Sequence, residues 1–240
     1  QEFFMALKYL QSIPVVPLRG RVVFPGTTIT FDAGRLISLS AVKRATDGDM
    51  TLFVSDQADA EKEEITAEDI CAVGTVAKIK QITRLPSNSV RVTAEGLWRA
   101  KALTFSLEEC FLAEVEELRP VHGDEILEEA YFRSAKGMMH DIAAGENRFA
   151  KDSVARMERC ADADEFVNIA ANSLPLREEV KQSLLETQNV VERLRVLEKC
   201  LNDEMEIARI GRKINAAVRQ SIDKNQREYY LREQLKAIHA

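Results

Sequence analysis

The chain has 240 residues, of which 45% are hydrophobic and 30% are charged, and its formal net charge at pH 7 is −6. These values are typical of a globular protein with one or two domains. The acidic balance argues against a general nucleic-acid-binding protein, which needs lysine and arginine to neutralise phosphates. No apolar run approaches the roughly 18 residues of a membrane-spanning helix, and no secretory signal opens the chain. We therefore expect a cytoplasmic protein with no membrane partner.

The cysteines and histidines predict neither a metal site nor a catalytic residue. Metal sites and redox motifs place cysteines a few residues apart. The four cysteines here lie tens of residues apart, at Cys71, Cys110, Cys160 and Cys200. The three histidines are scattered and have no serine or cysteine nucleophile motif near them, as a catalytic triad would require. We expect reduced cysteines, no metal and no cofactor in this chain.

The N-terminal half has the pattern of a small β-barrel. Pro14 and Pro17 restrict residues 13–18 to an edge strand or a strand start, because proline donates no ladder hydrogen bond. Further strands are predicted at 27–31, 51–54, 73–79, 90–94 and 111–115, and apolar and polar residues alternate in the last three. One short helix is predicted at 38–47. Short antiparallel strands with polar outer faces favour a closed or nearly closed barrel, since closure leaves no long edge unpaired.

Five large apolar or ring-bearing residues interrupt this alternation. They are Phe24, Pro25, Ile82, Leu85 and Trp98. One interpretation is a β-bulge that turns such residues inward. The other is an exposed apolar patch at the ends of the barrel, which would hold an extended, unfolded chain. The sequence leaves both interpretations open, and the second makes these five residues candidates for substrate binding.

Helical spacing replaces the strand pattern after Pro120, so we predict domains at 5–120, 121–189 and 190–240, leaving out residues 1–4. Asp124 is a predicted N-cap for a helix that ends near 144. Asp162 and Glu165 predict a capping box for a helix that reaches 172. A further helix is expected from 174 to 187, and it would complete a bundle.

The last predicted element is a helix from 190 to 240, which would be about 75 Å long. Its apolar residues recur at spacings of three and four beyond the part that the bundle would bury. The candidates for self-association on this stripe are Met205, Ile207, Ile210, Ile214 and Ala217. Neither a C-cap glycine nor a proline ends the helix before Ala240. We therefore expect the chain to be a piece of a longer protein.

Residues 225–238, NQREYYLREQLKAI, resemble the segment that precedes the ATPase module in bacterial Lon proteases. Shorter similar stretches are 17–19, 23–26, 73–77, 95–100 and 164–185. The resemblance implies an α+β fold, in which an N-terminal PUA-like small β-barrel with one short helix is followed by an α-helical bundle ending in one very long C-terminal helix.

Lon proteases are ATP-dependent and combine an N-terminal region, an AAA+ ATPase module and a protease domain with a Ser-Lys dyad. No Gly-x-x-x-x-Gly-Lys-[Ser/Thr] motif occurs here, so the phosphate cradle of such an ATPase is absent from this chain. The resemblance thus implies a non-catalytic region, with ATP and Mg²⁺ bound only by the ATPase module of the parent protein.

The expected function is substrate recognition and assembly. The partners would be unfolded or damaged proteins and other copies of the chain, with a hexamer in the parent protein. Two alternatives are a PUA-like RNA-binding module and a free-standing Lon-like adaptor. The acidic charge argues against the first, so we expect no nucleic-acid partner. The uncapped final helix argues against the second.

Overall fold

The structure, a computed structural model, describes residues 12–86, 88–145 and 150–239. Residues 5–11, which open the first predicted domain, and Ala240, the predicted helix end, lie outside the described residues. The chain divides into two compact units, Gln1–Glu198 and Lys199–Ala240. The first residues of the long helix therefore belong to the first unit. The three-domain division stays a prediction.

The first unit opens with strands and one short helix, close to the predicted positions. Their bounds are β1 Ser12–Arg19, β2 Thr28–Ala33, α1 Leu36–Asp47, β3 Thr51–Gln57, β4 Val73–Arg84, β5 Val90–Leu107 and β6 Phe111–Glu117. The strands are longer than predicted because several continue past the stretch of regular alternation. β5, with 18 residues, is the longest.

The strands form one mixed sheet in the order β2-β5-β4-β3-β1-β6, and a further pairing between β5 and β6 closes five of them into a ring. β1 and β3 are parallel, whereas the other pairs are antiparallel. The long β5 makes closure possible. Its first part, from Val90 to Glu95, pairs with β2, and its second part, from Ala100 to Leu107, pairs with β6.

β1 lies inside the sheet order, where the prolines predicted an edge strand or a strand start. Its first part, from Ser12 to Pro14, pairs with β6, and its second part, from Val15 to Arg19, pairs with β3. Among the described residues, each part therefore has a partner on one side only. This arrangement accommodates Pro14 and Pro17 because a strand paired on one side needs fewer donors.

Two hydrophobic clusters lie on opposite faces of the strands, as the period of two in a strand requires. On β3, Leu52 and Val54 belong to the first cluster and Phe53 to the second. Helix α1 covers the first cluster with Ala41, Val42 and Ala45. The predicted short helix thus covers one face of the sheet.

Five helices follow the sheet. Their bounds are α2 Glu125–Gly145, α3 Lys151–Arg159, α4 Ala163–Ser173, α5 Glu178–Glu186 and α6 Val190–His239. The carboxylate of Asp124 accepts a 2.9 Å hydrogen bond from the backbone amide of Leu127. The carboxylate of Asp162 accepts a 2.7 Å hydrogen bond from the backbone amide of Glu165. Both predicted N-caps are confirmed, whereas α3 was not predicted as a helix.

The helices of the first unit share an apolar core. Phe132 of α2 meets Phe166 of α4 edge to face, with ring centroids 5.4 Å apart. Leu184 of α5 and Leu194 of α6 are buried as well. The predicted bundle interior therefore consists of the apolar faces of short, amphipathic helices.

Candidate functional site

A surface cavity of about 700 Å³ lies where β1 begins, where β6 ends and where α1 ends. We call it the Trp98 cavity. Its apolar lining residues are Ile13, Pro14, Ala45, Val76, Leu97, Trp98 and Val115. Ligand cavities in proteins combine such an apolar lining with a few polar groups. Of the five predicted substrate-binding residues, Trp98 alone lines this cavity.

A β-bulge places Trp98 there. Trp98 pairs with Val76, but Gly96 pairs with Ala77, so Leu97 is an extra residue on β5. The bulge leaves Leu97 44% exposed and Trp98 half-buried against the second hydrophobic cluster. This is the β-bulge of the first interpretation, which turns Trp98 toward the core. Trp98 also lines the cavity. Leu97 was missed as a site residue, and its position after Gly96 was the available signal.

The rim of the Trp98 cavity carries positive and negative side chains in equal numbers. Arg119 Nε lies 3.0 Å from Glu117 Oε2, and Arg44 Nη1 lies 2.6 Å from Glu108 Oε2. The hydrogen bond to Glu108 raises the pKa of Arg44. The charged lining residues Arg44, Arg119, Asp49 and Glu117 sum to zero, so the apolar floor is the attractive part of the cavity.

The prediction that Phe24 is exposed is wrong, because its side chain is 0% exposed. Its backbone carbonyl accepts a 2.7 Å hydrogen bond from Thr27 Oγ1. Thr75 Oγ1 donates a 2.6 Å bond to the carbonyl of Val23 just before it. A Cβ at Gly96 would collide with the carbonyl oxygen of Phe24, so the turn packs directly on β5. These contacts hold the phenyl ring inside the fold.

Pro25 is half-buried in the same turn. The backbone amide of the next residue, Gly26, donates a 2.8 Å hydrogen bond to the carbonyl of Gly96. Arg156 of α3 donates a 2.9 Å bond to the carbonyl of Gly26. The turn is therefore fixed by the sheet and by a helix.

Ile82 and Leu85 are half-buried near the end of β4. The register between β4 and β5 shifts between Ile79 and Gln81, which brings Ile82 back to the face of Ile79 and against the first hydrophobic cluster. Ile82 and Trp98 thus pack against different clusters. The five predicted residues do not form one continuous patch, and their role in substrate binding stays a prediction.

The second unit carries the exposed apolar stripe of α6. Ile207, Ile210 and Ile214 are 62%, 46% and 57% exposed. Ala217 is exposed, and Met205 is half-buried. Two residues that the prediction omitted extend the stripe: Val218 and Ile222. Spacings of three and four residues place Ile207, Ile210, Ile214, Ala217, Val218 and Ile222 on one side of the helix, whereas Met205, two residues before Ile207, lies on another side.

A buried ionic cluster ties the sheet to the helices of the first unit. Asp164 of α4 pairs with Arg99 of β5 and with Arg193 of α6, whose side chains are almost fully buried. Burial lowers the pKa of Arg193 to about 10 and lowers that of Arg99 as well. Asn168 accepts a further 2.7 Å hydrogen bond from Arg193. Nothing in the local sequence pattern signalled this cluster.

Reactive groups are scarce in the part of the chain that the structure describes. No group of three or more His, Cys, Asp or Glu residues there could hold a metal ion. All four cysteines are free, and burial raises the pKa of each thiol, which lowers its reactivity at neutral pH. Within those same residues, no helix has the length and apolarity needed to cross a membrane.

The α+β scaffold and its apolar cavity define a binding domain. The chain belongs to the family of the ATP-dependent protease La (LON) substrate-binding domain, whose family model matches residues 12–203. The resemblance noted from 17–19 and 95–100 lies within the matched residues and is therefore confirmed.

Relatives and solved structures agree with this assignment. A Lon protease of Syntrophomonas wolfei is 36% identical over 231 residues, which make up 95% of this chain and 28% of that protein. A Lon protease of Clostridium acetobutylicum is 37% identical over 234 residues, covering 94% of this chain and 29% of that protein. The chain thus spans less than a third of the length of these relatives.

The fold is similar to the N-terminal domain of a Mycobacterium avium complex Lon protease, with a TM-score of 0.66 and 22% identity, over 80% of this chain and 99% of that one. It is also similar to a Lon N-terminal domain protein from Xanthomonas campestris, with a TM-score of 0.54 and 19% identity, over 78% of this chain and 97% of that one. At these identities the likeness supports the fold alone.

Proposed function

We propose that this chain is the non-catalytic substrate-recognition and assembly region of an ATP-dependent Lon-type protease. The family match over residues 12–203 carries the proposal. The substrates would be unfolded or damaged proteins in the cytoplasm. ATP, Mg²⁺ and the Ser-Lys dyad would belong to other parts of the parent protein.

The ring of strands would be a PUA-like barrel that presents the Trp98 cavity. An unfolded protein exposes apolar side chains along an extended backbone, and such a side chain would bury its surface against Leu97 and Trp98. The contact is small, so a single cavity would bind weakly. Half-buried Pro25, Ile82 and Leu85 would add contacts elsewhere on the same domain.

Assembly would strengthen this weak binding. The exposed stripe at Ile207, Ile210 and Ile214 would pair with another copy, as apolar seams do in coiled coils. In a hexameric parent, several cavities would hold one unfolded chain at once, and avidity would raise the overall affinity. The long helix would connect the recognition domain to the ATPase ring.

Trp98 provides a direct test because it is the only tryptophan in the chain. Its fluorescence can be titrated with a permanently unfolded protein that lacks tryptophan. We expect a change in emission on binding. Leu97→Ser should weaken that binding about five- to tenfold, since partial burial of a leucine contributes about 1 kcal/mol.

Leu103→Ser is the matched control. Leu103 is 54% exposed on the same strand and also occupies a register shift, but it does not line the Trp98 cavity. Both variants should keep the wild-type melting temperature. Equal affinity of the two variants, or no emission change at saturation, would refute the Trp98 cavity as the substrate site.

A further inference from the structure

A second cavity, of about 630 Å³, lies between β1 and β2. It is lined by residues 16–19 of β1 and 30–33 of β2. Among the described residues, this part of β1 pairs with β3 alone and β2 pairs with β5 alone. The cavity therefore occupies a seam where two strand edges face each other without pairing. We call it the seam cavity.

The lining of the seam cavity is strongly basic. Four arginines line it, together with a single acidic residue. The arginines are Arg19, Arg21, Arg35 and Arg91. Asp32 is the acidic residue, and Arg91 engages both of its oxygens at 2.8 Å. Four positive charges and one negative charge leave the lining with a net charge of +3, although the whole chain is acidic.

Three of these guanidinium groups form no salt bridge among the described residues, although the charge of Arg21 also helps to lower the pKa of Asp32. Within the described part of the chain, no Asp or Glu oxygen forms a salt bridge with Arg19, Arg21 or Arg35. Asp56 lies nearby, but it accepts a hydrogen bond from the backbone amide of Arg21, at 3.1 Å. It does not line the cavity. Within the lining, only Asp32 offsets the positive charge, so a net positive charge remains.

Arg35 is held by two hydrogen bonds to neutral acceptors. Its Nη1 donates a 2.9 Å hydrogen bond to Gln57 Oε1, and its Nη2 donates one of 2.6 Å to the carbonyl of Pro17. Both acceptors are neutral. Burial, followed by the positive charge of Arg19, lowers the pKa of Arg35. A half-buried guanidinium that has neutral acceptors and a positive neighbour would be stabilised by an added anion.

An extended peptide is a poorer occupant of this seam. A peptide strand would have to bond to the free edges of β1 and β2. Two of the edge carbonyls are already used, because Arg35 bonds to Pro17 and Arg21 Nη1 donates a 3.1 Å bond to the carbonyl of Thr30. The arginines therefore close the seam to a strand while leaving their charge in the cavity.

We propose that the seam cavity binds a multiply charged phosphate anion through Arg19, Arg21 and Arg35. The guanidinium fork matches the spacing of phosphate oxygens, and a net charge of +3 favours several phosphates over one carboxylate. Helix α1 begins beside the cavity at Leu36, with no acidic residue in its first turn and no side-chain cap. Its free amides add positive potential at the same place.

Calorimetric titration of the 240-residue chain with inorganic tripolyphosphate, in a buffer free of divalent cations, tests the proposal. We expect saturable binding, and weaker binding of orthophosphate. Arg19→Gln should weaken tripolyphosphate binding roughly tenfold or more, since a hydrogen bond to a charged group contributes about 1.5–3 kcal/mol. Arg133→Gln on α2 is the control, because Arg133 is exposed and far from the seam in sequence; it should bind like the wild type.

Arg35→Gln is the second variant, with its melting temperature measured because Arg35 also braces β1. Loss of binding in a folded Arg35→Gln variant would support the site. Equal affinities of the wild type and Arg19→Gln would overturn the proposal, as would tighter binding of an oligo-aspartate than of tripolyphosphate. The Trp98 titration with unfolded protein should be unchanged in Arg19→Gln, so failure of this proposal is distinguishable from failure of the substrate site.

Discussion

Arg99 of β5 donates a 3.0 Å hydrogen bond from Nη2 to Oδ1 of Asp164 in α4, across 65 residues of sequence. The other terminal nitrogen of Arg99 donates a 2.9 Å bond to the carbonyl of Thr187, just after α5. Arg193 bonds to the same carboxylate from α6. One carboxylate, shared by two arginines, therefore joins the sheet to helices α4 and α6.

Asp164→Ala should lower the free energy of unfolding by about 3–5 kcal/mol, because it leaves two buried guanidinium groups without a counter-charge. Urea denaturation followed by circular dichroism measures the change. Asp141→Ala is the control, since Asp141 is exposed on α2, and it should change stability by less than about 0.5 kcal/mol. Similar losses in the two variants would show that the cluster does not hold the domain together.

Phe24→Ser should also destabilise the domain strongly. Truncation of a fully buried phenylalanine costs about 3–5 kcal/mol, and the serine hydroxyl would lie in an apolar site. Leu36→Ser is the control because Leu36 is 83% exposed. Thermal unfolding should show a large loss of melting temperature for the first variant only. A Phe24→Ser variant that melts like the wild type would contradict the burial of this side chain.

Local signals predicted the helix ends but not the strand register. Asp124 and Asp162 were identifiable as N-caps because capping depends on residues three positions apart. The bulges that place Ile82 and Leu97 depend on partner strands distant in sequence, so alternation within one strand could not fix them. Helix α3 was missed because its N-cap position, Ala150, provides no side-chain cap.

The same distinction applies to the site. Trp98 was predicted as a site residue because it interrupts an alternating pattern, and the stripe of α6 was predicted as an assembly surface because helix periodicity is visible in the sequence. The seam cavity forms only when the fold brings together four arginines from separate parts of the sequence. The Arg99–Asp164–Arg193 cluster forms only when β5, α4 and α6 pack together. Neither arrangement leaves a local pattern from which it could be predicted.

His122 should give the domain a pH-dependent contribution to stability. Its Nδ1 lies 2.9 Å from Glu128 Oε1, and this hydrogen bond raises the pKa of His122. The contribution is therefore fully present below the unfolded pKa of about 6.5 and is lost as pH rises through the higher folded pKa. NMR titration should show the raised pKa, and Glu128→Gln should lower it. Glu129→Gln is the control: it removes the partner of Arg133 and should leave the pKa of His122 unchanged. If both variants lower the pKa of His122 equally, the shift comes from the overall negative charge of the region and not from the hydrogen bond to Glu128.

The chain alone should show neither ATPase nor protease activity. It has no P-loop motif, and such motifs supply the phosphate cradle. Incubation with ATP, Mg²⁺ and casein should release no more phosphate or peptide than a mock preparation. Sustained turnover that copurifies with the chain would contradict a non-catalytic role.

Self-association through α6 is the last prediction. Ile207, Ile210 and Ile214 expose an apolar stripe on the second unit, and such a stripe is stabilised when a second copy covers it. Sedimentation at micromolar concentration should show dimers or larger species, and a chain that ends at Asn202 should sediment as a smaller species.

The double variant Ile210→Asn, Ile214→Asn should also dissociate, because polar side chains would replace the centre of the stripe. Arg212→Gln is the control, since residue 212 lies roughly 200° from residue 210 around the helix, and it should remain associated. A wild-type chain that sediments as a monomer would exclude the stripe as an assembly surface.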